Sequence, residues 1–234
     1  MKEKIYTIPI TEAFAQDSEC PFCALFRKLE SDAVGFILGP AYMDDDVRLA
    51  TNEAGFCREH YRQLYDAQNR LGLALMLHTH LIRINQLISK AVPDLPGKRG
   101  KNGGPGLAAG LRRMHDSCYV CEWVEGNFGH CVENFFYMWQ KMPEFAGTVK
   151  NCRGFCLEHF IRLMEAGEKL LPAGDYARFA AEAVHIERDA LAKLENDLGR
   201  FIAKYDYRNA DMPWDGAQDA VLRGLERIAS VRDL

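Results

Sequence analysis

The sequence predicts an all-α protein, a helical bundle made of two duplicated zinc-pinned units joined by a glycine- and lysine-rich linker. Three observations carry that expectation. Apolar residues recur at helical spacing between proline and glycine breaks. No segment alternates as a half-buried strand does. One cysteine/histidine pattern occurs twice.

One helix is expected over about Pro21–Leu38, stopped by Gly39-Pro40. A long one should start near Gly55 and continue towards Lys90. In the second copy, helices are expected over about 119–142, 154–171 and 175–205, with Pro143 and Pro172-Ala173-Gly174 as breaks. A last amphipathic helix should follow Pro213-Trp214-Asp215, with Asp215 as its N-cap. Residues 1–95 then form a first unit, 96–106 a linker rich in helix breakers, 107–205 a second unit and 206–234 a C-terminal turn and helix.

The repeat is specific. Cys20-Pro21-Phe22-Cys23 is followed by Gly55-Phe56-Cys57-Arg58-Glu59-His60, with 33 residues between the inner cysteines. Cys118-Tyr119-Val120-Cys121 is followed by Gly154-Phe155-Cys156-Leu157-Glu158-His159, with 34 between them. The CxxC pairs are offset by 98 residues and the CxxH pairs by 99. An aromatic follows each histidine (Tyr61, Phe160), and Leu64 and Leu163 lie four residues beyond. This is an internal duplication that keeps the cysteines and histidines in register.

Three thiolates and one imidazole per copy are a usual structural ligand set for tetrahedral zinc. Ligands two residues apart suit a first helical turn, whose free N–H groups also favour thiolate over thiol. The expected ligands are Cys20, Cys23, Cys57, His60, Cys118, Cys121, Cys156 and His159, and the expected cofactor is zinc, two per chain. Three pairings are open: each CxxC with its own CxxH, each with the other copy's, or like with like. Local pairing is the one preferred, because a duplicated unit should once have bound metal alone. A thioredoxin-type reading of Cys20-Pro21-Phe22-Cys23 needs a preceding strand and a βαβ setting, and neither is evident.

Other polar residues read more plainly. Cys131 and Cys152 are expected as small buried side chains, although Cys152, four residues before Cys156, could join a site. His78 and His80 point roughly 200° apart on a helix and cannot share a site. They should be hydrogen-bonded at a helix interface. Glu182 and His185 have the ExxH spacing of di-iron bundles but lack the facing glutamates. Asp44-Asp45-Asp46 suits a turn or N-cap.

The chain has 234 residues, 48% hydrophobic and 26% charged, with a formal net charge of −4. Nothing in that balance favours nucleic acid, and Lys98, Arg99, Lys101, Arg112 and Arg113 read as a solvated basic stretch. The N-terminus has no apolar core of a secretory signal, and eight cysteines without one suit a reducing cytoplasm. The longest strongly apolar stretch, 71–77, is too short to span a bilayer.

The paired CPxC and GFCxxH motifs resemble those of an uncharacterised bacterial family. The resemblance extends to Asn69-Arg70-Leu71-Gly72-Leu73-Ala74-Leu75 with His78, and to Tyr205-Asp206-Tyr207-Arg208-Asn209 with Pro213-Trp214. It departs where Tyr119 stands in place of the proline of the first CxxC. The resemblance implies metal binding in a bacterial cytosol and lends no substrate. Four protein ligands per metal leave no open coordination position, so the expectation is a structural-zinc binding or adaptor module with a protein partner. A thiol- or metal-responsive regulator is one alternative. An enzyme with a site away from the zinc, near Arg70, His78 or His185, is another.

Overall fold

The computed structural model describes residues 2–91, 106–209 and 211–230. The expected linker at 96–106 lies, apart from Gly106, outside the described residues. Among the described residues there are eleven α-helices and no strand: α1 (Lys2–Ala15), α2 (Pro21–Leu38), α3 (Asp45–Ala54), α4 (Arg58–Asp66), α5 (Arg70–Ala91), α6 (Leu107–Asp116), α7 (Tyr119–Lys141), α8 (Pro143–Lys150), α9 (Leu157–Leu170), α10 (Ala173–Ala203) and α11 (Ala220–Ala229). No described helix is long and apolar enough to cross a membrane.

The chain divides into two compact units. A terminal unit comprises residues 1–28 and 128–234, and a central unit comprises residues 29–127. Both boundaries fall inside helices, α2 and α7.

The terminal unit is built on aromatic rings. Phe14, Phe22, Phe135, Phe145 and Phe179 are buried, and most pairs meet edge-on with centroids 5.2–6.0 Å apart. Edge-to-face contact sets the positive rim of one ring against the negative face of the next. α11 packs on α9 and α10, closing the C-terminal end of the unit.

In the central unit, α5 packs against α3, α4 and α6. Leu29, Ala33 and Ile37 of α2 are buried at helical spacing, as are Val120 and Val124 of α7. Asp44 caps α3 as the acidic run suggests, its Oδ1 accepting from the amides of Asp46 at 3.0 Å and Val47 at 3.2 Å.

Two expectations need correction. The long helix foreseen from Gly55 to Lys90 is two helices, because Gln68 takes a left-handed φ of 65° and Asn69 starts a new one. Asn69 Oδ1 accepts from Gly72 N at 2.9 Å, satisfying a first-turn amide. Asp215 is no N-cap. It sits at φ 49° in a turn and pairs with Arg200, and the helix starts only at Ala220.

Candidate metal centres

All four ligand pairs stand at helix starts. Cys57 and Cys156 are the N-cap residues of α4 and α9, in extended conformation, which places His60 and His159 in the first turn facing back toward the cysteine. Cys20 and Cys118 directly precede α2 and α7, and their carbonyls accept from Ala24 N at 3.3 Å and Glu122 N at 3.0 Å. Each GFCxxH loop turns at a glycine with positive φ, 62° at Gly55 and 105° at Gly154, and buries the following phenylalanine.

The pairs join crosswise. Cys20, Cys23, Cys156 and His159 form one cluster, and Cys57, His60, Cys118 and Cys121 the other. In each, the four possible ligand atoms lie within 4.8 Å of one another. The preference for local pairing is therefore corrected. Its physical fault lies in the return path. α2 runs 18 residues, about 27 Å, away from Cys23. The chain does not come back extended, because it coils into a short 3-10 turn and the 10-residue α3, which covers only about 15 Å. In the second copy, the 23 residues of α7 outrun the 8 of α8 in the same way.

The first cluster belongs to the terminal unit and is buried throughout. His159 Nδ1 lies 3.6 Å from Cys20 Sγ, 3.4 Å from Cys23 Sγ and 3.0 Å from Cys156 Sγ, and the Cys23 and Cys156 sulfurs are 3.4 Å apart. The imidazole is boxed by Phe22, Phe26 and Phe128, the nearest centroid at 5.2 Å. Hydrogen bonds from the Cys20 and Cys23 thiols, outweighing burial, hold the Cys156 thiol far below its ordinary range. Burial pushes the Cys20 thiol up.

The second cluster belongs to the central unit. His60 Nδ1 lies 3.2 Å from Cys57 Sγ, 3.3 Å from Cys118 Sγ and 3.4 Å from Cys121 Sγ, and the Cys57 and Cys121 sulfurs are 3.9 Å apart. Burial opposes ionisation of Cys118, but the His60 ring and two neighbouring amides outweigh it and bring the thiol down to about 6. Glu30 Oε1 sits 3.4 Å from His60 Nε2, the ring nitrogen turned away from the thiols.

The donor sets and their spacing fit a tetrahedral ion. Bonds of about 2.3 Å to sulfur and 2.0–2.1 Å to nitrogen put tetrahedral S···S edges near ~3.8 Å and S···N edges near ~3.6 Å. The four spacings given for each cluster lie within about 0.6 Å of those values, and both His60 and His159 turn Nδ1 to the thiols.

The Tyr119/Pro21 difference changes how each ligand loop is tied. In the central unit, Tyr119 N donates to Gly55 O at 3.0 Å and Ser117 Oγ to Ala54 O at 2.7 Å, joining the CxxC loop directly to the CxxH loop. Pro21 has no N–H to give, and Glu19 stands where Ser117 does. The terminal unit joins its loops through Arg227 of α11 instead. One guanidinium nitrogen donates to Glu19 Oε2 at 2.7 Å and Arg153 O at 2.9 Å, and the other to Phe155 O at 2.9 Å. Glu187 of α10 completes the clamp, accepting from Phe155 N at 2.9 Å and lying 3.6 Å from Arg227 Nη1. Ser230 Oγ, just beyond α11, donates to Cys156 Sγ at 3.1 Å.

The register of the repeat carries a second contrast. Glu30 and Phe128 each lie seven residues after an inner cysteine. Glu30 meets His60 and Phe128 meets His159, so one imidazole has a carboxylate neighbour and the other an aromatic one. That signal was available in the sequence. Arg227, Glu187 and Ser230 carry no motif.

The remaining candidates stand apart from the clusters. Cys131 is fully buried, and Cys152 is half-buried with its sulfur 4.0 Å from Gly154 O. His80 bonds Asn52 O at 2.9 Å, whereas His78 is exposed. Glu182 accepts from Trp139 Nε1 at 3.3 Å, and His185 pairs with Asp189 on the surface. Arg70 lies over the Tyr65 ring.

The family of unknown function DUF6062 matches residues 1–233. The chain belongs to that family. No curated protein and no solved structure matches it.

Proposed function

We propose that this DUF6062 chain binds two zinc ions as structural closures, and that the scaffold so fixed is a binding or adaptor module for a protein partner. The observation that carries the zinc reading is the pair of Cys3His clusters, each with four protein donors at tetrahedral spacing. Zinc supplies a rigid four-way joint between two helix starts, and its binding energy is folding energy. The chain's own residues orient the donors: first-turn geometry for the histidines, helix-start amides for the thiolates, and the Arg227 and Ser117 ties between loops. Four protein donors leave no position for a water or substrate, which favours a structural over a catalytic role. Thiolate ligands also favour a reducing compartment, and the cytoplasm is the proposed setting.

The test is metal content of protein purified without added metal, together with thiol titration before and after chelation. Two zinc ions per chain, with six thiols masked until chelation, is the expected result. Little metal and freely reactive thiols in the folded protein would sink the reading.

A further inference from the structure

We propose that Cys121 is a modification site for hydroperoxides, and that its oxidation opens the central zinc site while the terminal site keeps its metal. This rests on the zinc reading above and adds a division of labour between the two sites.

The argument compares positions that the duplication makes equivalent. Cys23 is 7% exposed, whereas Cys121, its counterpart, is at least partly exposed. Cys156 is 0% exposed, whereas Cys57, its counterpart, is half-buried. The cover differs for an identifiable reason. In the terminal unit, α11 packs on α9, Ser230 caps the Cys156 sulfur and three phenylalanines enclose His159. Among the described residues, α6 packs on α5 as α11 packs on α10, but it has no packing on α4 comparable to that of α11 on α9. An oxidant must reach sulfur to react, so exposure selects Cys121.

The chemistry closes without a further reagent. The Cys121 thiolate attacks one oxygen of the peroxide; an S–O bond forms, the O–O bond breaks and hydroxide leaves. The Cys57 thiolate, its sulfur 3.9 Å away, then attacks the sulfenic acid sulfur. An S–S bond forms, the S–O bond breaks and a second hydroxide leaves. The two sulfurs lose two electrons, the peroxide gains them, and two protons from solvent convert the hydroxides to water. Two of four ligands are then withdrawn from the metal, and a thiol reductant with zinc reverses the change.

The experiment uses the full, zinc-loaded chain carrying Cys131→Ala and Cys152→Ala, which removes the thiols outside the clusters. Hydrogen peroxide is added, zinc release is followed with a chromogenic chelator, and cysteines are mapped by peptide mass spectrometry. The expected result is one zinc per chain released at least about tenfold faster than the second, with the first disulfide joining Cys57 to Cys121. Equal release rates, or a first oxidation confined to Cys20, Cys23 and Cys156, would overturn the proposal. Fewer than two zinc ions before peroxide would instead count against the zinc reading itself.

Discussion

Arg227, 3% exposed, holds the Glu19 carboxylate at 2.7 Å across 208 residues of sequence. The same guanidinium reaches two carbonyls of the CxxH loop, so one side chain fixes the distance between the two halves of a metal centre.

Removing that side chain should be costly. Arg227→Met leaves Glu187 buried without its cation and Glu19 with only Arg153, 3.3 Å away, a loss of about 3–5 kcal/mol by analogy with other broken buried pairs. Arg227→Lys should recover little, because a single ammonium nitrogen cannot reach acceptors that two separate guanidinium nitrogens now hold. Urea unfolding of both variants checks this, and a Lys variant as stable as the parent would count against the clamp.

The glycines offer a matched pair. A Cβ at Gly154 would lie 2.6 Å from Arg227 Nη1 and 3.0 Å from Glu187 Oε2, inside the buried clamp. One at Gly55 would lie 2.9 Å from the His80 ring, a single half-buried side chain bonded to Asn52 O. Both carry positive φ, so each alanine should cost about 1–3 kcal/mol, with Gly154→Ala the worse. Adding His80→Ala should relieve Gly55→Ala and leave Gly154→Ala unchanged, which thermal melts of the four variants will show.

Glu30→Ala should weaken zinc binding at the central site by about 10–100-fold, the usual effect of removing a ligand histidine's outer partner. The terminal site, with Phe128 at the matching register, should be unaffected. Chelator competition that resolves two affinities tests this, and equal loss at both sites would contradict it.

Cys131→Ala and Cys152→Ala should each retain two zinc ions per chain. Cys131 fills a fully buried position, so its alanine variant should cost on the order of 1 kcal/mol for the lost packing. Metal analysis beside a denaturation curve separates the two effects, and a zinc lost with either cysteine would redraw the ligand set.

Much of this structure was readable in advance, for physical reasons. The eight clustered side chains announce themselves because metal chemistry demands fixed residue types at fixed short spacing. The acidic cap at Asp44 and the break at Pro143 are local effects, set within a few residues. The partnering of the clusters was not readable, since 33 intervening residues are long enough to return if extended and too short if coiled. The residues contain helix formers, and coiling won. The split at Gln68 was missed because a left-handed glutamine has no sequence signature, although Asn69 was a usable sign. Arg227 lay beyond reach: it is one arginine among many, and only the fold brings it 72 residues back to Phe155.

The crossed arrangement has a consequence for how such a chain could arise. One cluster closes a loop within the loop closed by the other, like nested parentheses. Each copy of the repeat therefore gives a cysteine pair to one centre and a Cys-His pair to the other, and completes neither. A half-length ancestor carrying one CxxC and one CxxH would have met the same obstacle. It could have satisfied its metals by exchanging ligands with a twin, as a reciprocal dimer with two equivalent centres. Fusion of the two genes would keep both centres and free them to diverge, one sheathed by α11 and the other more open to solvent.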